Sequence, residues 1–164
     1  MKKIVLAGGC FWGVQAYFDQ VNGVLHTVTG YTDGDKENPT YEEVCQGSGH
    51  AEAIYLEYDE TMTSLELILK HYFNIVDPTQ INRQGNDIGL SYRTGIFVYD
   101  EDDLQFVESY VSSIKGQYSK PIVTEIKLLK HFYKAESYHQ KYLAKHPNGY
   151  CHINLNAVRN IQKK

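Results

Sequence analysis

The chain has 164 residues, of which 42% are apolar and 22% charged, a composition that suits one domain with its own core. A net charge of −4 supplies no footprint for nucleic acid or for an anionic membrane surface, and no run approaches the ~20 apolar residues of a membrane span. The three cysteines, Cys10, Cys45 and Cys151, are odd in number and dispersed, which argues against a secreted disulfide framework and for a reducing, cytoplasmic setting.

Taken in chain order, Lys3–Ala7 reads as a short buried strand. Its apolar run is shorter than the ~7–15 residues of a signal-peptide core. Gly8-Gly9 is a turn, and Phe11–Val21 a helix. Val24–Tyr31 is a strand, Asp33–Thr40 a polar turn region, Tyr41–Cys45 a short helical turn, and Ala51–Tyr58 a strand with alternating polarity. Leu65, Leu69, Tyr72 and Val76 recur at helical spacing, and Asp77-Pro78 stops that helix. The polar, glycine-bearing stretch Thr79–Ser91 is too long for a mere connection, and such loops are often functional. Tyr92–Tyr99 is a strand. Leu104, Val107, Val111 and Ile114 mark a helix with an acidic first turn. Ile122–Leu128 alternates as a strand, Ala135–Lys145 reads as a helix, and the tail from Asn148 has no pattern. This order predicts an α+β, two-layer α/β sandwich with a ferredoxin-like split βαβ core and an irregular C-terminal tail, residues 1–164 forming a single domain.

The sharpest local feature is Gly8-Gly9-Cys10-Phe11-Trp12-Gly13. It places a cysteine between a strand and a helix. The thiolate is the reactive form, and a free thiol with a pKa of ~8.5 is mostly protonated at neutral pH. Free N–H groups and positive potential at a helix N-terminus favour the thiolate, so Cys10 is expected to be ionised and exposed. A small buried hydrophobe is the bland alternative. A phosphate-binding loop is not supported, because the Gly-Lys-Ser/Thr ending is missing.

Gly-Cys-Phe-Trp-Gly after a short strand resembles the signature of the peptide methionine sulfoxide reductase A family. Five further stretches resemble family motifs in order. They are Asn38 to Cys45, Gly49 to Glu52, Asp77 to Asp87 with Tyr92-Arg93, Glu136 to Tyr142, and Asn148 to Cys151. The resemblance implies a thiol-dependent oxidoreductase that reduces the S epimer of methionine sulfoxide, free or in proteins, in the repair of oxidised methionine. It implies Cys10 as the nucleophile and Glu52 as the acid that protonates the sulfoxide oxygen. Phe11 and Trp12 would line a pocket for the methyl group. Tyr41 and Tyr92 would hold the oxygen, with Asp87 in the same polar network. Cys151 would resolve a sulfenic acid on Cys10 as a disulfide, which thioredoxin or a similar dithiol would reduce. No cofactor and no metal are implied. Cys45 reads as a structural thiol and His50 as structural.

The tail departs from the family pattern. Many members carry a further cysteine in a glycine-rich tail, whereas here the sequence runs Cys151-His152-Ile153-Asn154-Leu155-Asn156. A two-cysteine scheme is therefore expected. Two readings compete. A peroxide-reducing or peroxide-sensing protein would need no methyl pocket and no acid at Glu52. A His/Cys metal module would draw on the three cysteines and seven histidines, although no Cys-x₂₋₄-Cys or His-x₃₋₅-His pair sits near a cysteine pair.

Overall fold

The computed structural model describes residues 1–162. Strand β1 (Lys2–Gly8) is buried on both faces and runs at the middle of a six-stranded sheet. Its alternation divides the core. Ile4 and Leu6 face one side, Val5 and Ala7 the other. It pairs antiparallel with β3 (Ala51–Tyr58) and with β6 (Thr94–Val98). β2 (Val24–Thr32) lies beyond β3, and β7 (Glu125–Leu128) beyond β6. β7 runs parallel to β6, and the connection between them contains helix α4 (Glu101–Ile114). The full strand order is β7-β6-β1-β3-β2-β8, with β8 (Phe132–Lys134) at the second edge. The molecule is a mixed α/β fold.

The face bearing Ile4, Leu6, Ile54, Leu56, Ile96 and Val98 is covered by helices α1 (Phe11–Phe18), α3 (Leu65–Ile75) and α4. Val14, Tyr17 and Phe18 come from α1, Ile68, Leu69 and Tyr72 from α3, and Val107 from α4. The opposite face carries Val5, Ala7, Ala51, Ala53 and Phe97, with Tyr55, Leu129 and Phe132 packed against it. The period of two in β3 puts Glu52 on the same face as Ile54 and Leu56. A carboxyl is thereby carried into the apolar layer next to α1.

Most elements match the sequence reading, with several corrections. Ala135–Lys145 is not one helix. Ser137–His139 forms a 3-10 turn, and only Tyr142–Lys145 is α-helical (α5). Tertiary bonds override the local preference here. The Gln140 carboxamide bonds both the N–H and the carbonyl of Thr29 at 3.0 Å, acting as a further rung on β2. Lys141 adopts a left-handed conformation (φ 56°) and donates its N–H to Gln15 Oε1. Likewise, the strand expected from Tyr92 starts at Thr94, because Leu90–Tyr92 is a 3-10 turn. The one expected from Ile122 starts at Glu125. Helix α1 ends at Phe18 rather than Val21. The long polar stretch holds a small hairpin, β4 (Arg83–Gln84) with β5 (Asp87–Ile88). The tail closes in a 3-10 helix, Leu155–Asn160, that puts Val158 into the core. Among the described residues no helix is long and apolar enough to cross a membrane.

Candidate active site

Cys10 is the N-cap of α1, at the junction of β1 and the helix. The turn before it is tight. A Cβ on Gly9 (φ +88°) would come within 2.9 Å of Gln84 and His152, so only glycine fits. Only 8% of Cys10 is exposed, which corrects the expectation of a displayed thiolate. Burial pushes the thiol well above its ordinary pKa, and the charges of Glu52 and Asp87 push it the same way. The backbone N–H groups of Trp12 and Gly13 pull it down, as a helix N-terminus should, but they do not win. The resting thiol keeps its proton.

Glu52 is 1% exposed. Burial raises its pKa to about 8, against the opposing hydrogen bond from the Phe11 backbone N–H at 3.2 Å. Its Oε1 takes that bond, and Oε2 has no partner. A carboxyl that holds its proton at neutral pH and keeps one oxygen unengaged can serve as a general acid.

Tyr41 opens the short helix α2 (Tyr41–Cys45). Thr40 and Glu43 form a capping box around its first turn, and the Tyr41 N–H donates to Glu136 Oε2 at 3.0 Å. Tyr92 ends the 3-10 turn, and the neighbouring Arg93 fixes that turn in place. Arg93 pairs with Glu125 at 2.6 Å and Asp33 at 3.1 Å, and donates to the Gly49 carbonyl just ahead of β3. Burial raises both phenols, and the charge of Glu52 is the next contribution in each case. Two protonated O–H donors therefore stand in the field of the same carboxyl. Asp87, on β5, accepts a bond from the Tyr150 hydroxyl at 3.1 Å and adds to the upward push on both Cys10 and Glu52.

Phe11 and Trp12 belong to an aromatic cluster. Phe11 is 1% exposed and packs against Tyr31, Tyr41 and His139. Trp12 is half-buried. It stacks on Tyr142 with ring centroids 3.8 Å apart and donates its indole N–H to His139 Nδ1 at 3.0 Å. Cys151 lies against the first turn of α1: a Cβ on Gly13 would stand 3.1 Å from its Sγ. All three cysteines are free thiols. Cys45, read from the sequence as a structural thiol, is exposed. His50 is fully buried. Among the described residues no group of three or more His, Cys, Asp or Glu side chains converges as metal ligands would.

The structure thus gathers Cys10, Glu52, Tyr41, Tyr92, Asp87, Phe11, Trp12 and Cys151 at one end of the sheet. Sequence reasoning assigned no role to the residues that hold them. Glu136 accepts from both the Tyr31 hydroxyl at 2.7 Å and the Tyr41 N–H. His139, Tyr142 and Tyr150 sit within motifs already noted, but only the contacts show what they touch.

A free cysteine at a strand-to-helix turn, beside a buried protonated carboxyl and two phenols, defines a thiol-dependent oxidoreductase site. The sequence profile described as peptide methionine sulfoxide reductase matches residues 2–164. A peptide methionine sulfoxide reductase MsrA from Clostridium botulinum is 58% identical over 156 residues, covering 94% of this chain and 99% of that one. Among solved structures, Mxr1 from Saccharomyces cerevisiae in reduced form superposes with a TM-score of 0.88 at 33% identity, covering 92% and 88% of the two chains. Methionine sulfoxide reductase A of Corynebacterium diphtheriae gives 0.87 at 35% identity, covering 92% and 77%. Mxr1 is also known in complex with Trx2. The chain belongs to the peptide methionine sulfoxide reductase family.

Proposed function

We propose that this chain reduces the S epimer of methionine sulfoxide, free or in proteins, through Cys10 and Glu52, and that Cys151 closes the cycle. The observation that carries the reading is the protonated carboxyl of Glu52, tied through one oxygen to the helix that starts at Cys10 and with the other oxygen free. The Cys10 sulfur attacks the sulfoxide sulfur as Glu52 delivers its proton to the oxygen, and the thiol proton restores Glu52. Because Glu52 is neutral at this stage, its charge no longer opposes ionisation of Cys10. The net step converts a thiol and a sulfoxide into a Cys10 sulfenic acid and methionine, with no change in total protons. Tyr41 and Tyr92 donate to the oxygen as charge develops on it, with Asp87 ordering the polar side of the site. Phe11 and Trp12 offer aromatic surface to the methyl group.

The Cys151 sulfur then bonds to the Cys10 sulfur and water leaves, giving a disulfide. A thioredoxin-like dithiol reduces it, as the Mxr1 complex with Trx2 suggests by analogy. Residues 1–164 act as one catalytic domain in a cytoplasmic setting. The segment β1-α1-β2-β3-α3-β6, with its strands in the order β6-β1-β3-β2, supports reading the core as ferredoxin-like. The test is an epimer-resolved sulfoxide assay, first with dithiothreitol and then with thioredoxin, run beside hydrogen peroxide. Turnover of the S epimer with both reductants supports the reading. Rapid peroxide turnover without sulfoxide turnover would favour the peroxide alternative.

A further inference from the structure

The tail carries a buried side chain that neither half of this reaction uses. His152 directly follows Cys151, and only 7% of its side chain is exposed. Its Nε2–H donates to the Gly8 carbonyl at 3.1 Å, which leaves Nδ1 as the bare nitrogen of a neutral ring. Nδ1 has no hydrogen-bond partner and lies 3.8 Å from Asp87 Oδ2. The ring lies flush on Gly9, where a Cβ would meet Nε2 at 2.9 Å. Gly8 and Gly9 are the two residues ahead of Cys10. One imidazole therefore ties the peptide carrying one thiol to the turn carrying the other. Ahead of Cys151, the Tyr150 hydroxyl bonds Asp87. Residues 150–153 form neither helix nor strand, so side-chain ties rather than a backbone ladder fix where Cys151 stands.

We propose that His152 is a positioning residue for the recycling half-reaction: its bond to Gly8 keeps Cys151 within reach of Cys10, so that the sulfenic acid is captured inside the molecule. This rests on the roles given above to Cys10 and Cys151. The step it serves is balanced. The sulfur–sulfur bond forms, the sulfur–oxygen bond of the sulfenic acid breaks, and the oxygen leaves as water with the Cys151 proton. His152 makes no hydrogen bond to either sulfur and is not needed for attack on the sulfoxide.

The test compares the full-length wild type with H152Q, which keeps a side-chain N–H for Gly8, and H152L, which fills the space without a donor. Each reduced protein is mixed with one equivalent of methionine sulfoxide and no reductant. Methionine release and disulfide formation are followed separately. Release should stay within about twofold in all three, while disulfide formation in H152L should slow about tenfold, the worth of one such bond. Dimedone should then trap the sulfenic acid in H152L, and H152Q should recover most of the rate. Disulfide formation in H152L at the wild-type rate would overturn the proposal. So would a parallel loss of release, disulfide formation and thermal stability in both variants, the mark of a merely structural role. If the wild type forms no Cys10–Cys151 disulfide, the two-thiol reading fails and takes this role with it, a result visible without any His152 variant.

Discussion

Glu52 accepts the backbone N–H of Phe11 at 3.2 Å with one carboxyl oxygen and leaves the other without a partner. The proposed acid is thus anchored to the residue next to the proposed nucleophile, Cys10. Its position depends on β3 alternation and on the start of α1, both of which are built into the core.

That anchoring gives a pH prediction. Glu52 keeps its proton in the folded chain up to about pH 8, so sulfoxide reduction in a single turnover should fall as pH rises through that value. Glu52→Gln should slow the step about 100-fold or more and lose that limb of the profile. An unchanged rate at neutral pH would remove Glu52 from the acid role.

The same group gives a stability prediction. Unfolded, Glu52 ionises near pH ~4.3, whereas folded it holds its proton to about pH 8. Between those values the folded state binds more protons, so stability falls as pH rises through the window. Glu52→Gln removes this dependence. The variant should be more stable than the wild type at pH 8, by roughly 1–3 kcal/mol, as thermal melts across pH will show.

In the proposed mechanism Tyr41 and Tyr92 share the task of holding the oxygen, so neither should be indispensable. Tyr41→Phe and Tyr92→Phe should each cost about tenfold in kcat with little change in KM, and the double variant more than about 100-fold. Steady-state kinetics on the S epimer check this. A change confined to KM would place the phenols in ground-state binding alone.

Gly13 sits in the first turn of α1 with Cys151 pressed on it. A Cβ there would stand 3.1 Å from Cys151 Sγ and 3.2 Å from Ile153. Gly13→Ala gains up to about 1 kcal/mol of helix propensity, so the protein should fold. Crowding should nonetheless displace Cys151 and slow disulfide formation about tenfold, leaving methionine release largely intact. Thiol titration after a single turnover separates the two.

Much of this was legible in the sequence because strand alternation and the Gly-Gly-Cys turn are local signals. β3 parity alone brings Glu52 into the core layer, and Cys10 falls between an apolar strand and a largely buried helix. What was not legible depends on distant partners. The ionisation of Cys10 is decided by burial and by Glu52, forty-odd residues away in sequence, not by the helix end beside it. The break at Lys141 depends on Gln15 and Thr29. The Thr40 to Glu43 capping box was written locally and was missed, although it is what presents Tyr41.

The fate of the sulfoxide oxygen distinguishes Cys10 chemistry from any other. The measurement is the mass, and the site of added oxygen, in the Cys151→Ser protein after reaction with one equivalent of methionine sulfoxide without reductant. One methionine should be released and one oxygen gained per chain, the oxygen located on Cys10 as a sulfenic acid, while Cys10→Ser should release none. Oxygen found on Cys45, or methionine released by Cys10→Ser, would contradict the role given to Cys10.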